Sequence, residues 1–162
     1  MDWKRLFFSF DGRIGRQAFW IAWLVLLAVN VVIGWIPLIG TILALVSIYC
    51  TVCIYATRLH DMGRSAWLQL IPIIVSVVAL ALVIVGIGGS AAFAALTGGT
   101  DEMVSTAALG GLGIGLAALA IAFVVQVGFL LWIGLTPGDP GPNRFGPPPD
   151  RGGVPPSDAP AA

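Results

Sequence analysis

Four long apolar stretches constrain this chain more than any other feature of its sequence. They run from about Ala18 to Ile36, Leu38 to Thr57, Trp67 to Ile87 and Leu109 to Leu135, and none contains Asp, Glu, Lys, Arg or His. A helix that crosses a bilayer needs about 20 mostly apolar residues. Composition agrees, because 58% of the residues are hydrophobic and 10% are charged. The sequence therefore predicts an all-α membrane protein with four transmembrane helices in a bundle.

The positions of the basic residues predict the orientation of the spans. Four crossings place both termini and the loop between the second and third spans on one side of the membrane. That side holds all eight basic residues: Lys4, Arg5, Arg13, Arg16, Arg58, Arg64, Arg144 and Arg151. Short loops rich in Lys and Arg stay in the cytoplasm. We therefore expect both termini to be cytoplasmic.

This topology divides the chain into three parts. We expect residues 1–17 to be a cytoplasmic interfacial segment, residues 18–135 to be the transmembrane domain, and residues 136–162 to be a cytoplasmic tail. Trp, Leu, Phe and Phe at positions 3, 6, 7 and 10 have helical spacing, which predicts a short amphipathic helix in the membrane interface. Nine of the eleven prolines lie in the tail, which should be largely disordered beyond about Pro149.

Small residues and turn residues indicate how the spans pack. Pro37 and Gly40 predict a tight turn, so the first two spans should form an antiparallel hairpin. Ala107, Gly111 and Gly115 recur at four-residue spacing, which allows helix backbones to approach closely. We interpret these residues as packing positions, with homodimerisation through the same face as the alternative.

Three short polar stretches interrupt the apolar sequence. They are FDGRIGRQAFW at 10–20, ATRLHDMGRSAW at 56–67 and PGPNRFG at 140–146. Together, in this order, they resemble the DUF805 family, small bacterial inner-membrane proteins of unknown function. The resemblance covers roughly residues 1–149. It implies a multi-pass protein of the bacterial inner (plasma) membrane, and it supplies no activity or catalytic residue.

The predicted topology places all three stretches at the cytoplasmic ends of the spans. The candidate cluster comprises Asp11, Arg13, Arg16, Arg58, His60, Asp61, Arg64, Asn143 and Arg144. One interpretation is structural, with the arginines pairing with the carboxylates of Asp11 and Asp61. The other is an anion site for lipid phosphate, because basic pockets between helices bind such head groups. The sequence leaves both open.

Catalysis, metal binding and transport are less well supported. His60 and Asp61 are adjacent, and neighbours on a helix do not face each other, so they make a poor catalytic dyad. No metal-ligand spacing surrounds His60, and no catalytic or cofactor-binding residue is expected. Cys50 and Cys53 lie inside the second span, where a thiol is inert.

Two amides, Asn30 and Gln126, lie within predicted spans. An amide that faces lipid is costly, so we expect both to turn inward and to hydrogen-bond across helices. The alternative interpretation is a transport path lined by these two amides, although the spans lack the ionisable residues of coupled carriers.

These patterns favour a non-enzymatic module that binds lipid or protein, or acts as a scaffold, at the cytoplasmic surface. The expected partners are membrane lipids with anionic head groups, a second copy of the chain or another membrane protein, and not nucleic acid. The alternative function is a small transporter or channel component.

Overall fold

The structure, a computed structural model, describes residues 3–149 apart from the side chains of Trp3, Arg5, Ala91, Ala94 and Ala95. Its elements are α1 (Trp3–Phe8), α2 (Arg16–Ile33), α3 (Ile39–Asp61), a 3-10 turn (Ala66–Gln69), α4 (Leu70–Ile84), a π turn (Val85–Gly89), α5 (Ser90–Leu96) and α6 (Asp101–Leu135). Residues 3–149 contain no β-strand. The all-α prediction is confirmed, while the predictions for Arg151 and for the tail beyond Pro149 lie outside the described residues.

Four helical segments are long and apolar enough to cross a membrane: Arg16–Ile33, Ile39–Asp61, Ala66–Gly89 and Asp101–Leu135. The four predicted spans are therefore confirmed, and the chain is a multi-pass membrane protein. Two boundaries differ from the prediction. The helix of the second span, α3, continues through Arg58 and His60 to Asp61. The helix of the fourth span, α6, begins at Asp101 rather than near Leu109. Polarity marks where an apolar span ends, but backbone hydrogen bonds continue a helix into polar sequence.

The chain forms two compact units. The first contains the described residues up to Leu68 together with those from Ile133 onward, and the second contains Gln69–Trp132. In the first unit, Phe19 of α2, Ile54 and Leu59 of α3 and Ile133 at the end of α6 are buried almost completely. These apolar side chains form the core on which the polar motifs are held.

A tight hairpin joins α2 and α3, as predicted. The Gly34 N–H donates to the carbonyl of Asn30 at 2.8 Å, and the Gly40 N–H donates to that of Ile36 at 2.7 Å. A Cβ on Gly40 would stand 2.5 Å from the Gly34 carbonyl oxygen, so the turn requires glycine there. Farther along the hairpin, Asn30 Nδ2 donates to Ser47 Oγ at 2.7 Å, which is the bond between helices expected of this amide.

The predicted N-terminal helix is present as α1, and it contacts α3. Leu6 is buried, and the rings of Phe8 and Phe10 lie 6.3 and 5.7 Å from the ring of Tyr49. Tyr49 precedes Asp61 by about 18 Å of helix at 1.5 Å per residue. The N-terminal segment therefore packs along α3 instead of extending away from it.

In the second unit, the small-residue face of α6 packs against the segment that precedes it. A Cβ on Gly86 would stand 2.6 Å from the Gly111 carbonyl oxygen, and one on Gly115 would stand 3.1 Å from a methyl group of Val83. The backbones at Gly86 and Gly111 are thus in direct contact, as small residues at this spacing allow. The predicted packing role of this face is fulfilled within one chain.

The prediction for Gln126 is wrong. Its side chain is exposed on α6 rather than turned inward. Sequence identifies a polar residue within a span, but the rotation of a helix is set by its packing. In α6 the small residues at positions 111 and 115 make the contacts with the preceding segment.

Candidate functional site

Three segments of the first unit converge at one end of α3. Ile14, in the loop before α2, donates its N–H to the carbonyl of Thr57 at 3.4 Å. From the segment after α6, the Asp139 N–H donates to the Asp61 carbonyl at 2.7 Å, and Asn143 Nδ2 donates to the His60 carbonyl at 3.0 Å. The three polar stretches that we singled out in the sequence therefore meet around the last turn of α3.

Asp61 is the centre of this meeting point. The residue is 3% exposed, its Oδ1 accepts a hydrogen bond from Arg13 Nε at 3.1 Å, and its Oδ2 accepts a short one from Arg58 Nη1. We call these residues the Arg13–Asp61–Arg58 triad. A buried charge is tolerated when it is paired and its remaining hydrogen-bonding capacity is used. The carboxylate meets this condition with one arginine on each oxygen.

The guanidinium of Arg13 connects the triad to the segment after α6. Its Nη1 donates to the carbonyls of Gly141 and Gly146 at 2.8 and 3.2 Å. Its Nη2 donates to the carbonyls of Asp139 and Asp61 at 2.6 and 3.3 Å. Nε and both Nη atoms of Arg13 thus have partners, so this arginine is structural.

Arg58 connects the triad to the end of α6. It is fully buried; its Nε donates to the Ile133 carbonyl at 2.8 Å and its Nη2 to that of Thr136. Trp20 Nε1 donates to the Gly134 carbonyl at 3.2 Å. The last carbonyls of a helix lack partners within the helix and carry partial negative charge, which favours arginine at this end.

The segment after α6 contributes residues that sequence reasoning missed. A Cβ on Gly138 would overlap Asp61 Oδ2, and one on Gly63, at φ +65°, would stand 2.5 Å from Asp139 Oδ2. Asn143 Nδ2 donates to Asp139 Oδ2 at 2.9 Å. Glycine at these two positions therefore gives the carboxylates room. The sequence signal that could have indicated these contacts is Asp139, an acidic residue between the fourth span and the PGPNRFG motif.

A stack of three side chains borders the triad. The rings of His60 and Phe145 are parallel within 10°, with centroids 3.8 Å apart, and the guanidinium carbon of Arg144 lies 4.6 Å from the Phe145 centroid. Arg144 Nη2 also donates to the Gly63 carbonyl at 3.5 Å. Nδ1 of His60 is buried and has no hydrogen-bond partner among the described residues. His60 thus packs on Phe145, while the Asp61 carboxylate is engaged with two arginines.

A cleft of about 1350 Å³ lies beside the triad, within the first unit. Arg13, Arg58 and Asp61 are among its lining residues. The lining also includes residues 11–18 and Ile21, from the loop before α2 and from α2 itself. The segment after α6 contributes Pro137, Gly138, Phe145 and residues 147–149. The cleft therefore extends from charged loop residues to an apolar position on α2.

Comparison with known families adds one match. The family model described as "Protein of unknown function (DUF805)" matches residues 7–147. The chain belongs to the DUF805 family. No curated protein and no solved structure matches this DUF805 protein. The matched range contains the whole triad, the His60–Phe145–Arg144 stack and most of the cleft.

The predicted pairing of this DUF805 protein's arginines was half right. Asp61 binds arginine as expected, but Asp11 is exposed, and no ion pair joins its carboxylate to any side chain that the structure describes. Its backbone N–H donates to Ser9 Oγ at 3.1 Å. In the sequence, Asp11 and Asp61 are equally good partners for the arginines. The fold buries Asp61 and leaves Asp11 exposed on the loop before α2.

The predicted cluster therefore divides into two groups of side chains. Arg13, Arg58, Asp61 and Asn143 are held in the hydrogen-bonded centre, with His60 and Arg144 in the adjacent stack. Asp11, Arg16 and Arg64 are exposed. Of these three, Asp11 and Arg16 line the cleft. In the described part of the chain, no group of three or more His, Cys, Asp or Glu side chains could hold a metal ion.

Proposed function

We propose that this protein binds phospholipid head groups, without catalysis, in the cleft beside the Arg13–Asp61–Arg58 triad at the cytoplasmic face of the bacterial inner membrane. The observation that carries this proposal is the change in polarity along the cleft. It is lined by Arg16 at the start of α2 and by Ile21 about 7.5 Å farther along the same helix. A charged group next to an apolar surface suits an amphiphile, with its phosphate at Arg16 and its chains toward the apolar span.

Arg16 is the arginine available to a ligand. Its side chain is exposed, and among the described residues it makes one long hydrogen bond, 3.4 Å, from Nη1 to the Leu135 carbonyl. A guanidinium has five N–H donors, so most of those of Arg16 remain available for a phosphate oxygen. By contrast, Arg13 and Arg58 donate to carbonyl and carboxylate oxygens of the fold.

The same contacts argue against a catalytic role for His60 and Asp61. A general base must be able to accept a proton from a substrate within hydrogen-bond reach. Both carboxylate oxygens of Asp61 accept from arginines, and His60 does not line the cleft and has a buried Nδ1. The polar residues at the end of α3 therefore support a structural role under an open binding surface.

The two amides that would support a transport path are placed elsewhere. Asn30 donates both to Ser47 Oγ and to the Leu26 carbonyl, so its side chain is engaged within the first unit. Gln126 is exposed in the second unit. The cleft is lined by neither. Head-group binding thus has a specific observation in its favour that transport lacks.

Lipid retention on the purified protein tests the proposal. The protein is extracted in a mild detergent, and bound phospholipid is counted by native mass spectrometry in the wild type, in Arg16→Gln and in Arg64→Gln. Arg64 is the matched control, because it is exposed but does not line the cleft. We expect Arg16→Gln to lower lipid occupancy roughly tenfold, as loss of a charge-assisted hydrogen bond implies, and Arg64→Gln to leave it unchanged.

Three outcomes would overturn the proposal. One is wild-type protein that carries no phospholipid above the detergent background. The second is an equal loss in both variants, which would indicate general attraction to basic residues. The third is a stoichiometric protein partner, in place of lipid, that Arg16→Gln releases, since the cleft would then bind protein.

A further inference from the structure

The charges that line the cleft are of both signs. Asp11 and Arg16 are the exposed members, whereas Asp61 is buried between Arg13 and Arg58. Asp139 does not line the cleft, and its carbonyl accepts a hydrogen bond from Arg13. The lining therefore contains three arginines and two aspartates, so it presents carboxylates as well as guanidinium groups. A ligand in the cleft meets an exposed carboxylate, Asp11, as well as an exposed guanidinium, Arg16.

The two exposed charges lie on one short segment, which is the loop before α2 and the first residue of that helix. Asp11 and Arg16 are five positions apart, so their Cα atoms lie within about 18 Å even for an extended chain, and Gly12, at φ +95°, turns the backbone between them. A Cβ on Gly12 would meet nothing within 4 Å, and one on Gly15 would meet only Pro149, at 3.9 Å. This segment thus carries a carboxylate and a cation that both line the cleft.

We infer that the cleft selects a zwitterionic phospholipid with a primary ammonium, Arg16 binding the phosphate and Asp11 the ammonium. This inference rests on the proposed function and names its ligand class. A primary ammonium has three N–H donors and a carboxylate accepts them, which is the chemistry of a lysine–aspartate pair. An ethanolamine head group combines this ammonium with a phosphate, whereas a choline head group carries a cation without N–H donors.

Ile21 and Leu6 support a lipid as the carrier of this head group. Both line the same cleft as Asp11 and Arg16, and Ile21 is 37% exposed on a membrane-spanning helix. An acyl chain that follows the head group would contact them. Free phosphoethanolamine has the same charged groups but would leave this apolar surface uncovered.

A comparison of three lipids tests the inference with the full chain. The protein is reconstituted with equal amounts of phosphatidylethanolamine, phosphatidylcholine and phosphatidylglycerol of identical acyl chains, and the bound lipid is quantified by native mass spectrometry. We expect phosphatidylethanolamine to exceed phosphatidylcholine roughly tenfold. Asp11→Asn should abolish this preference while phosphate-dependent binding persists. Asp101→Asn, which alters an exposed carboxylate in the second unit, should retain the preference.

The outcomes separate this inference from the function on which it rests. Equal binding of the ethanolamine and choline lipids, a preference for phosphatidylglycerol, or an unchanged preference in Asp11→Asn would overturn the ammonium assignment and leave phospholipid binding standing. Absence of all three lipids would overturn both. Soluble phosphoethanolamine that displaces the lipid at equal concentration would uphold the head-group chemistry and overturn the assignment to a lipid.

Discussion

Gly138 lies directly against the carboxylate of Asp61, and a Cβ at this position would overlap Asp61 Oδ2. We expect Gly138→Ala to move that carboxylate off its arginines and to lower the free energy of unfolding by about 1–3 kcal/mol. Thermal unfolding of the protein in detergent measures the change. Gly141→Ala is the matched control in the same segment, because its Cβ would meet nothing within 4 Å. Equal stability of the two variants would contradict the close contact.

Removal of the Asp61 charge should be among the most destabilising single changes. Asp61→Asn leaves Arg13 and Arg58 buried without a carboxylate, which costs about 3–5 kcal/mol for a buried pair that loses one partner. Chemical or thermal unfolding should show this loss, whereas Asp11→Asn should leave the unfolding temperature nearly unchanged because Asp11 is exposed. If both variants lose the same stability, the burial of Asp61 is not what makes it important.

Lysine should not replace Arg58. The arginine donates through three nitrogens to Asp61 and to the carbonyls of Ile133, Thr136 and Ile14. A lysine ammonium cannot reach acceptors spread around a planar fork, so buried carbonyls would be left without donors. We expect Arg58→Lys to lower the free energy of unfolding by at least about 2 kcal/mol. Arg64→Lys, at an exposed position, provides the comparison and should be neutral.

In the second unit, the close contact between Gly111 and Gly86 can be tested by substitution. A Cβ on Gly111 would overlap the Gly86 carbonyl oxygen, whereas one on Gly113 would meet nothing within 4 Å. Gly111→Ala should therefore destabilise the protein by about 1–3 kcal/mol through overpacking, and Gly113→Ala should not. Unfolding curves of both variants in the same detergent decide this prediction. Equal curves would mean that this face of α6 is not in contact within the chain.

The predicted orientation can be checked by cysteine labelling. Cys50 and Cys53 are buried, so a new exposed cysteine should dominate the reaction with a thiol reagent. We expect Arg64→Cys, between the second and third spans, to react with a membrane-impermeant reagent only after the membrane is opened. Asp101→Cys, at the start of α6, should react from outside. The reverse pattern would invert the proposed topology and place the cleft on the opposite face.

The transmembrane helices could be predicted from sequence because an apolar run is a local property. Their limits could not, since capping and backbone hydrogen bonds extend a helix past its apolar part. Asp101 and Glu102 occupy the first turn of α6. Carboxylates are favourable at the positive end of a helix, so α6 begins there, outside the apolar run.

The residues of the candidate site could largely be predicted from the sequence, but the ion pairs and hydrogen bonds among them could not. Sequence placed the three polar motifs at one end of the spans, and the structure joins them at Asp61. It could not show that Asp61 rather than Asp11 binds the arginines, nor that Asp139 participates. These contacts link residues 48 and 126 positions apart, and no local pattern encodes such separations.

The sequence by itself determined that the chain crosses a membrane four times, because the cost of burying polar groups in lipid leaves apolar helices as the solution for such segments. It also predicted which side holds the basic residues. Only the tertiary structure decided which charges neutralise one another. Packing of α2 and α3 with the end of α6 buries Asp61 between two arginines and leaves Asp11 and Arg16 exposed at the cleft. Burial decides which charges pair, because a charge removed from water needs a partner within the fold. An exposed charge stays hydrated and free to bind a ligand.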